Sequence, residues 1–224
     1  MDRRTFLRIA GGAAVVSATG LHRLAPAWAV DDGVYPRLLW QPEGTAPVLS
    51  VPSDPNDANT QRMFPTLLPA GSLLANPIDA WYLWLWTHDT SRIYLYTAPT
   101  PAGPFTARGF GLPPTPYPSG YLAGHFSSGD IVWDAAGGRL ISTPHGIRLP
   151  QVVGNGEVSQ DSFLIQSTDG LNWSWLDGDN RPRLTCGPVG SPDSVHTGYG
   201  RMLRDLDGHL TKFDGRHWWI YRAQ

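Results

Sequence analysis

Two aspartates stand where a polar run ends and an apolar one begins. Asp130 follows His125-Phe126-Ser127-Ser128-Gly129 and leads into Ile131-Val132-Trp133, and Asp193 opens Ser194-Val195-His196 in the same way. Carboxyl groups held on either side of a glycosidic bond, roughly 6.5 to 9.5 Å apart, hydrolyse it with inversion because that spacing leaves room for the attacking water. Asp130 and Asp193 are therefore candidate catalytic carboxylates. Each can also be a strand-start or turn carboxylate that bonds nearby amides. Asp134 shares the side-chain parity of Asp130 but lies farther along, beside Gly137-Gly138.

His88, Asp89, His125, His145 and His196 each fall at the end of an apolar run or just before one, and Tyr199 sits between two glycines. If the strands converge, these side chains gather at one mouth, where they can hydrogen-bond the hydroxyls of a carbohydrate ligand or bind a cation. A lone histidine in such a place is more often structural or simply on the surface. The spacings fit no short-range zinc pattern such as H-E-x-x-H, so no metal is expected. There is no phosphate-cradling glycine loop, G-x-S-x-G elbow or Cys-x-x-Cys pair, so no cofactor is expected either. Most tryptophans lie in apolar strands and read as core, which leaves Tyr117, Tyr121 and Tyr199 as loop aromatics able to stack on a sugar ring.

The elements that must position these groups are strands. The chain has 25 Gly, 21 Pro, 10 Trp and 8 Tyr with only 16% charged residues, a profile of short strands joined by tight turns. Trp81 to Trp86 reads as a strand buried on both faces, with Arg92 to Ala98 as its partner. A proline-rich linker, Pro113 to Pro118, separates these from a second group. That group holds Ile131 to Asp134, a Gly137-Gly138 hairpin turn, a strand running from Arg139 to Gly146, and a pair around Asp161 to Ser167 and Asn172 to Leu176. A third group begins at Ser191 and ends in Gly215 to Arg222, read as one strand. An aromatic and aliphatic strand recurs at intervals of roughly 60 to 80 residues, as repeat architectures show. Each group would be a small antiparallel sheet, a propeller blade. The alternative is a β-sandwich whose strands share composition without repeating. The fold class expected is all-β.

The first 29 residues have the zones of an export leader: Arg3, Arg4 and Arg8, an apolar run from Ile9 to Leu21, and Ala25-Pro26-Ala27-Trp28-Ala29 as a cleavage site. Arg3-Arg4-Thr5-Phe6-Leu7-Arg8 resembles the twin-arginine consensus, which implies recognition by the twin-arginine export machinery and a periplasmic or extracellular product. The leader carries Asp2 against Arg3, Arg4, Arg8 and Arg23, a net +3, so its removal takes the formal charge from −2 to −5. Neither nucleic acid nor a membrane surface suits that balance, and no membrane span is expected after leader removal. Cys186 is alone, so no intrachain disulfide can form, and it reads as a small buried side chain. Residues 30–224 form the expected mature domain, a monomer.

The order of segments resembles the five-bladed β-propeller glycoside hydrolases of the family 43 and family 32 type. The residues that carry the likeness are Trp81-Tyr82-Leu83-Trp84 with Arg92-Ile93-Tyr94-Leu95, Pro104-Phe105-Thr106, His125 through Asp134, His145-Gly146, Ser167 through Trp173, and Gly200 through Arg204. The resemblance implies a general base, a carboxylate that tunes its partner, and a general acid, drawn from different blades; Asp130 would match the tuning aspartate of the second. The acid is usually Glu, and residues 30–224 offer only Glu43 and Glu157, neither at the head of a strand. Ser167-Thr168-Asp169-Gly170-Leu171-Asn172-Trp173 also resembles the Asp-box of sialidase propellers, one residue short, with Asp169 expected to bond backbone amides in a turn. Five blades of about 60 residues need roughly 300, so about three blades of a longer protein are expected here. The functional expectation is a glycoside hydrolase acting on poly- or oligosaccharides. The alternatives are a non-catalytic carbohydrate-binding propeller and a secreted interaction scaffold.

Overall fold

Apolar and aromatic runs bounded by Gly, Pro and Asp turns produce fifteen strands in the computed structural model, which describes residues 62–87, 91–152 and 158–223. In chain order these are β1 (Met63–Leu68), β2 (Trp81–Trp86), β3 (Ile93–Ala98), β4 (Thr106–Gly111), β5 (Tyr121–Ser127), β6 (Ile131–Asp134), β7 (Arg139–Ser142) and β8 (His145–Val152). They continue with β9 (Val158–Ser162), β10 (Ile165–Ser167), β11 (Ser174–Trp175), β12 (Arg201–Met202), β13 (Lys212–Phe213), β14 (Arg216–His217) and β15 (Trp219–Ile220). A single helical turn, α1 (Ala70–Leu73), follows β1. The protein is all-β. Among the described residues no helix is long and apolar enough to cross a membrane. The expected leader, residues 1–29, lies outside the described residues.

Strands β1 to β4 form a four-stranded antiparallel meander. Its second strand, Trp-Tyr-Leu-Trp-Leu-Trp, is buried at five of six positions because both its neighbours and both its faces are covered. Its outer strand β4 is exposed at five of six positions, as befits a sheet edge. A second four-stranded antiparallel sheet has the order β6-β7-β10-β11, the same meander with a hairpin inserted after its second strand. That hairpin, β8 and β9, pairs with β5 as a third sheet. The run from Arg139 to Gly146, expected as one strand, is therefore two strands in different sheets. Pro144 stands between them, unable to donate to a ladder.

The main core joins the first two sheets. Tyr82, Trp84, Trp86, Ile93 and Leu95 from one meet Ile131, Leu140, Ile165 and Trp175 from the other, with Phe126 and Phe163 between. Each such side chain contributes about 1.5 to 3 kcal/mol by leaving water. The Asp169 turn fixes the join. Asp169 Oδ1 accepts from the Leu171 and Asn172 amides at 2.8 Å each, Gly170 takes φ +82°, and Gly170 O accepts from Trp84 Nε1 at 2.9 Å.

The third group is sparser, with β12 paired to β15 and β13 to β14. The expected single strand from Gly215 to Arg222 is two short strands in separate ladders. All the described residues belong to one compact unit, Ala46–Gln224.

Candidate functional site

The link from β5 into β6 is built to hold Asp130. Ser128 adopts φ +59°, and Gly129 has no room for a side chain, since a Cβ would lie 2.4 Å from Trp86 Cζ2 and 2.5 Å from Ser142 Oγ. The Asp130 amide donates to Thr143 Oγ1 at 3.2 Å, and its carbonyl accepts from Ser142 Oγ at 2.7 Å. The carboxylate is buried. It accepts from Thr66 Oγ1 at 3.2 Å and from Arg204 Nη1 at 3.4 Å, and Arg204 Nη1 also donates to the Ile131 carbonyl at 2.8 Å. Thr66 lies on β1, Asp130 immediately precedes β6 and Arg204 follows β12, so segments of three successive groups meet at one carboxylate.

Beside it lies a cluster of imidazoles and a phenol. Ser127 on β5 pairs with His145 at the head of β8, bringing His125 Nε2 within 3.3 Å of His145 Nε2. The Tyr199 amide donates to His145 Nδ1 at 3.4 Å, and the two rings lie 4.8 Å apart. The His196 ring stacks parallel to Tyr199 at 5.6 Å. His145 Nδ1 faces the Tyr199 amide, and its Nε2 faces His125. Thr143 Oγ1 donates to Gly200 O at 2.7 Å, tying the aspartate and the imidazoles to one segment, residues 198–201.

Two buried polar atoms against this segment have no hydrogen-bond partner among the described residues, Gln160 Oε1 and Trp219 Nε1, and neither do Trp86 Nε1 and Trp173 Nε1 elsewhere. Bare glycines shape their surroundings. A Cβ on Gly198 would lie 2.8 Å from Gln160 Oε1, and one on Gly200 would lie 1.8 Å from Trp219 Nε1. Four non-glycine residues with positive φ are close by: Phe64, Ser91, Ser128 and Tyr199. Ser91 Oγ accepts from the Phe126 amide at 2.8 Å, and the Phe64 ring meets Tyr199 at 5.6 Å. Strained backbone clusters at active sites and ligand clamps.

The structure thus gathers His125, His145, His196 and Tyr199, and Thr143 links the Asp130 backbone to Gly200 beside Tyr199. The Asp193 carboxylate accepts from Ser191 Oγ at 2.7 Å and Tyr221 OH at 3.0 Å, and these two donors keep it below the ordinary aspartate range. It shares no partner with Asp130 among the described residues. His88 and Asp89 lie outside the described residues. Asp134 pairs with Arg139 at 3.1 Å. Tyr117 packs on Phe126 at 5.3 Å. Tyr121, expected in a loop, begins β5 and donates to Asp161; burial and that carboxylate both push its hydroxyl pKa upward.

Sequence reasoning missed Asp161, Gln160, Thr66 and Arg204 as partners. Asp161 is fully buried on β9, accepts from Arg148 Nε at 2.8 Å and Nη2 at 2.7 Å, and takes the Cys186 amide at 2.8 Å. Its strand reads Val-Ser-Gln-Asp-Ser and carries no apolar alternation to mark it. Among the described residues one trio of potential metal ligands lies close, Asp205, Asp207 and His209. Asp205 there accepts from the Asp207 and His209 amides at 3.0 and 2.8 Å, which closes an exposed turn. No family model, no curated protein and no solved structure matches the chain.

Proposed function

We propose that this is an exported, glycosidase-like β-propeller protein that binds a poly- or oligosaccharide where Asp130 meets His125, His145, His196 and Tyr199. One observation carries the reading: residues of three successive groups, Thr66 within β1 and Arg204 just after β12, converge on Asp130 at the entry to β6. Radially packed blades produce such convergence, because the first strand of each lines a common axis. Saccharide hydroxyls both donate and accept. Gln160 Oε1, the indole N–H groups and the imidazoles offer both kinds of partner, and the Tyr199 ring offers a face for stacking. The paired arginines of the leader support export by the twin-arginine route to the periplasm or beyond.

In the hydrolytic form of this reading, Asp130 tunes charge beside the bond. A carboxylate already accepting from a hydroxyl and a guanidinium is arranged to accept, so it fixes geometry and does not deliver the proton. Asp193 is the second carboxylate. A non-catalytic binding role is the second reading. It is favoured by the separate engagement of the two carboxylates, Asp130 with Thr66 and Arg204, Asp193 with Ser191 and Tyr221.

Aryl-glycoside hydrolysis by the full chain decides between them. The enzyme reading expects turnover that falls about 100-fold or more in Asp130→Asn. Glycan binding without turnover leaves the binding reading standing, and absence of both overturns the proposal.

A further inference from the structure

Arg201 opens β12, and its neighbour Met202 packs against the cluster of Val132, Ile141 and Leu176, which turns the Arg201 side chain to the opposite face of the strand. There Arg201 Nη1 donates to Gly200 O at 3.1 Å and to Ser128 O at 3.2 Å. Thr143 Oγ1 meets the same Gly200 carbonyl at 2.7 Å, and Ser128 holds φ +59° two residues before Asp130. Both hydrogens of Nη1 thus go to backbone, and they hold the guanidinium between the link that carries Asp130 and the segment that carries Tyr199.

Among the described residues Arg201 makes no ion pair, and the nearby aspartate is taken, since Asp130 pairs with Arg204 at 3.4 Å. Arg201 Nε and Nη2 bond to no atom of the described residues and are open to solvent. That edge is the one a guanidinium turns side-on to a carboxylate, with two parallel N–H bonds. Two other arginines of this chain show it in use. Arg148 holds Asp161 through Nε and Nη2 at 2.8 and 2.7 Å, and Arg181 holds Asp179 through the same atoms at 2.9 and 2.8 Å.

We infer that Arg201 is a specificity-determining residue that takes a carboxylate of the ligand, which rests on the saccharide-binding reading and names its substrate class: a uronate-containing oligosaccharide. A guanidinium already anchored on two carbonyls loses little freedom on binding, and its open edge matches a planar carboxylate better than a hydroxyl. A uronate carries that carboxylate on C5 of the pyranose ring and leaves the ring face for Tyr199, two residues away. The formal charge of the chain is −2, so long-range attraction does not favour an acidic ligand and a preference for one is local.

Calorimetric titration of the full chain with trigalacturonate and with its methyl ester tests this. The wild type is expected to bind the acid about tenfold or more tightly than the ester. Arg201→Gln should lose that preference while its Kd for the ester stays within about twofold of wild type, and Arg201→Lys, which keeps the charge without the fork, should fall between. Equal affinity of the wild type for acid and ester overturns the inference, and that comparison needs no variant. Equal weakening of both ligands in Arg201→Gln, with an unchanged circular dichroism spectrum, also overturns it, because Arg201 is then a backbone clamp alone. Tyr199-dependent binding of neutral glycans with no preference for the acid overturns this inference and leaves the saccharide reading standing. Absence of binding to any glycan overturns both.

Discussion

Thr66 and Asp130 are 64 residues apart in the chain, and the Thr66 hydroxyl donates to the Asp130 carboxylate at 3.2 Å. Arg204, another 74 residues on, meets the same oxygen at 3.4 Å. Thr66→Val should cost about 1 kcal/mol, the usual worth of one hydrogen bond. Asp130→Ala should cost about 1 to 3 kcal/mol, held to that range because Arg204 is 32% exposed and partly solvated without its partner. Urea denaturation measures both. An Asp130→Ala cost no greater than that of Thr66→Val would mean the carboxylate does not anchor the three groups.

Asp169 makes stability depend on acid. Burial opposes its ionisation, but bonds from the Asn172 side chain, the Asn172 and Leu171 amides and Ser167 outweigh it and lower its pKa. A carboxylate depressed in the folded state contributes its full stability above its unfolded pKa, about 3.9, and loses it as pH falls through the lower folded value. Denaturation midpoints of the wild type should therefore drop more below pH 4 than those of Asp169→Asn. Parallel curves for the two proteins would contradict this.

Gly111 approaches the Asp169 turn so closely that a Cβ would lie 2.3 Å from the Leu171 carbonyl and 2.7 Å from Trp173 Cδ1. Gly111→Ala must push backbone as well as a ring, so a loss of about 1 to 3 kcal/mol is expected in thermal or urea unfolding. Gly124→Ala, where nothing lies within 4 Å, is the control and should cost far less.

Burial raises the pKa of the Cys186 thiol, and its Sγ donates to Val195 O at 3.0 Å. Its thiolate fraction at pH 8 is accordingly lower than that of an exposed cysteine. Reaction with Ellman's reagent should be slow in the native protein and rapid in guanidinium chloride; equal rates would show an open, reactive thiol.

The strands that sequence exposed are those whose chemistry follows the rules of an apolar core. The Trp-rich run of β2, its partner β3 and the Gly137-Gly138 turn were all readable, and so was the Asp169 turn, because its Ser, Asp and Gly each do a local job. The third sheet was not. β9 buries Ser159, Gln160, Asp161 and Ser162 in a hydrogen-bonded network, so its polar sequence looks like a loop. β1 was hidden by Pro65, which sits where the ladder with β2 shifts register. At the candidate site, His125, His145, His196 and Tyr199 were legible as polar residues at strand ends. Thr66, Gln160 and Arg204 were not, because their significance comes from which distant strands meet them.

A glycan array probed with the full wild-type chain and with Tyr199→Ala tests the proposed saccharide site most directly. The account predicts a defined set of bound oligosaccharides in the wild type and about tenfold weaker binding in the variant, with an unchanged circular dichroism spectrum. An empty array, or one on which both proteins bind alike, would contradict it.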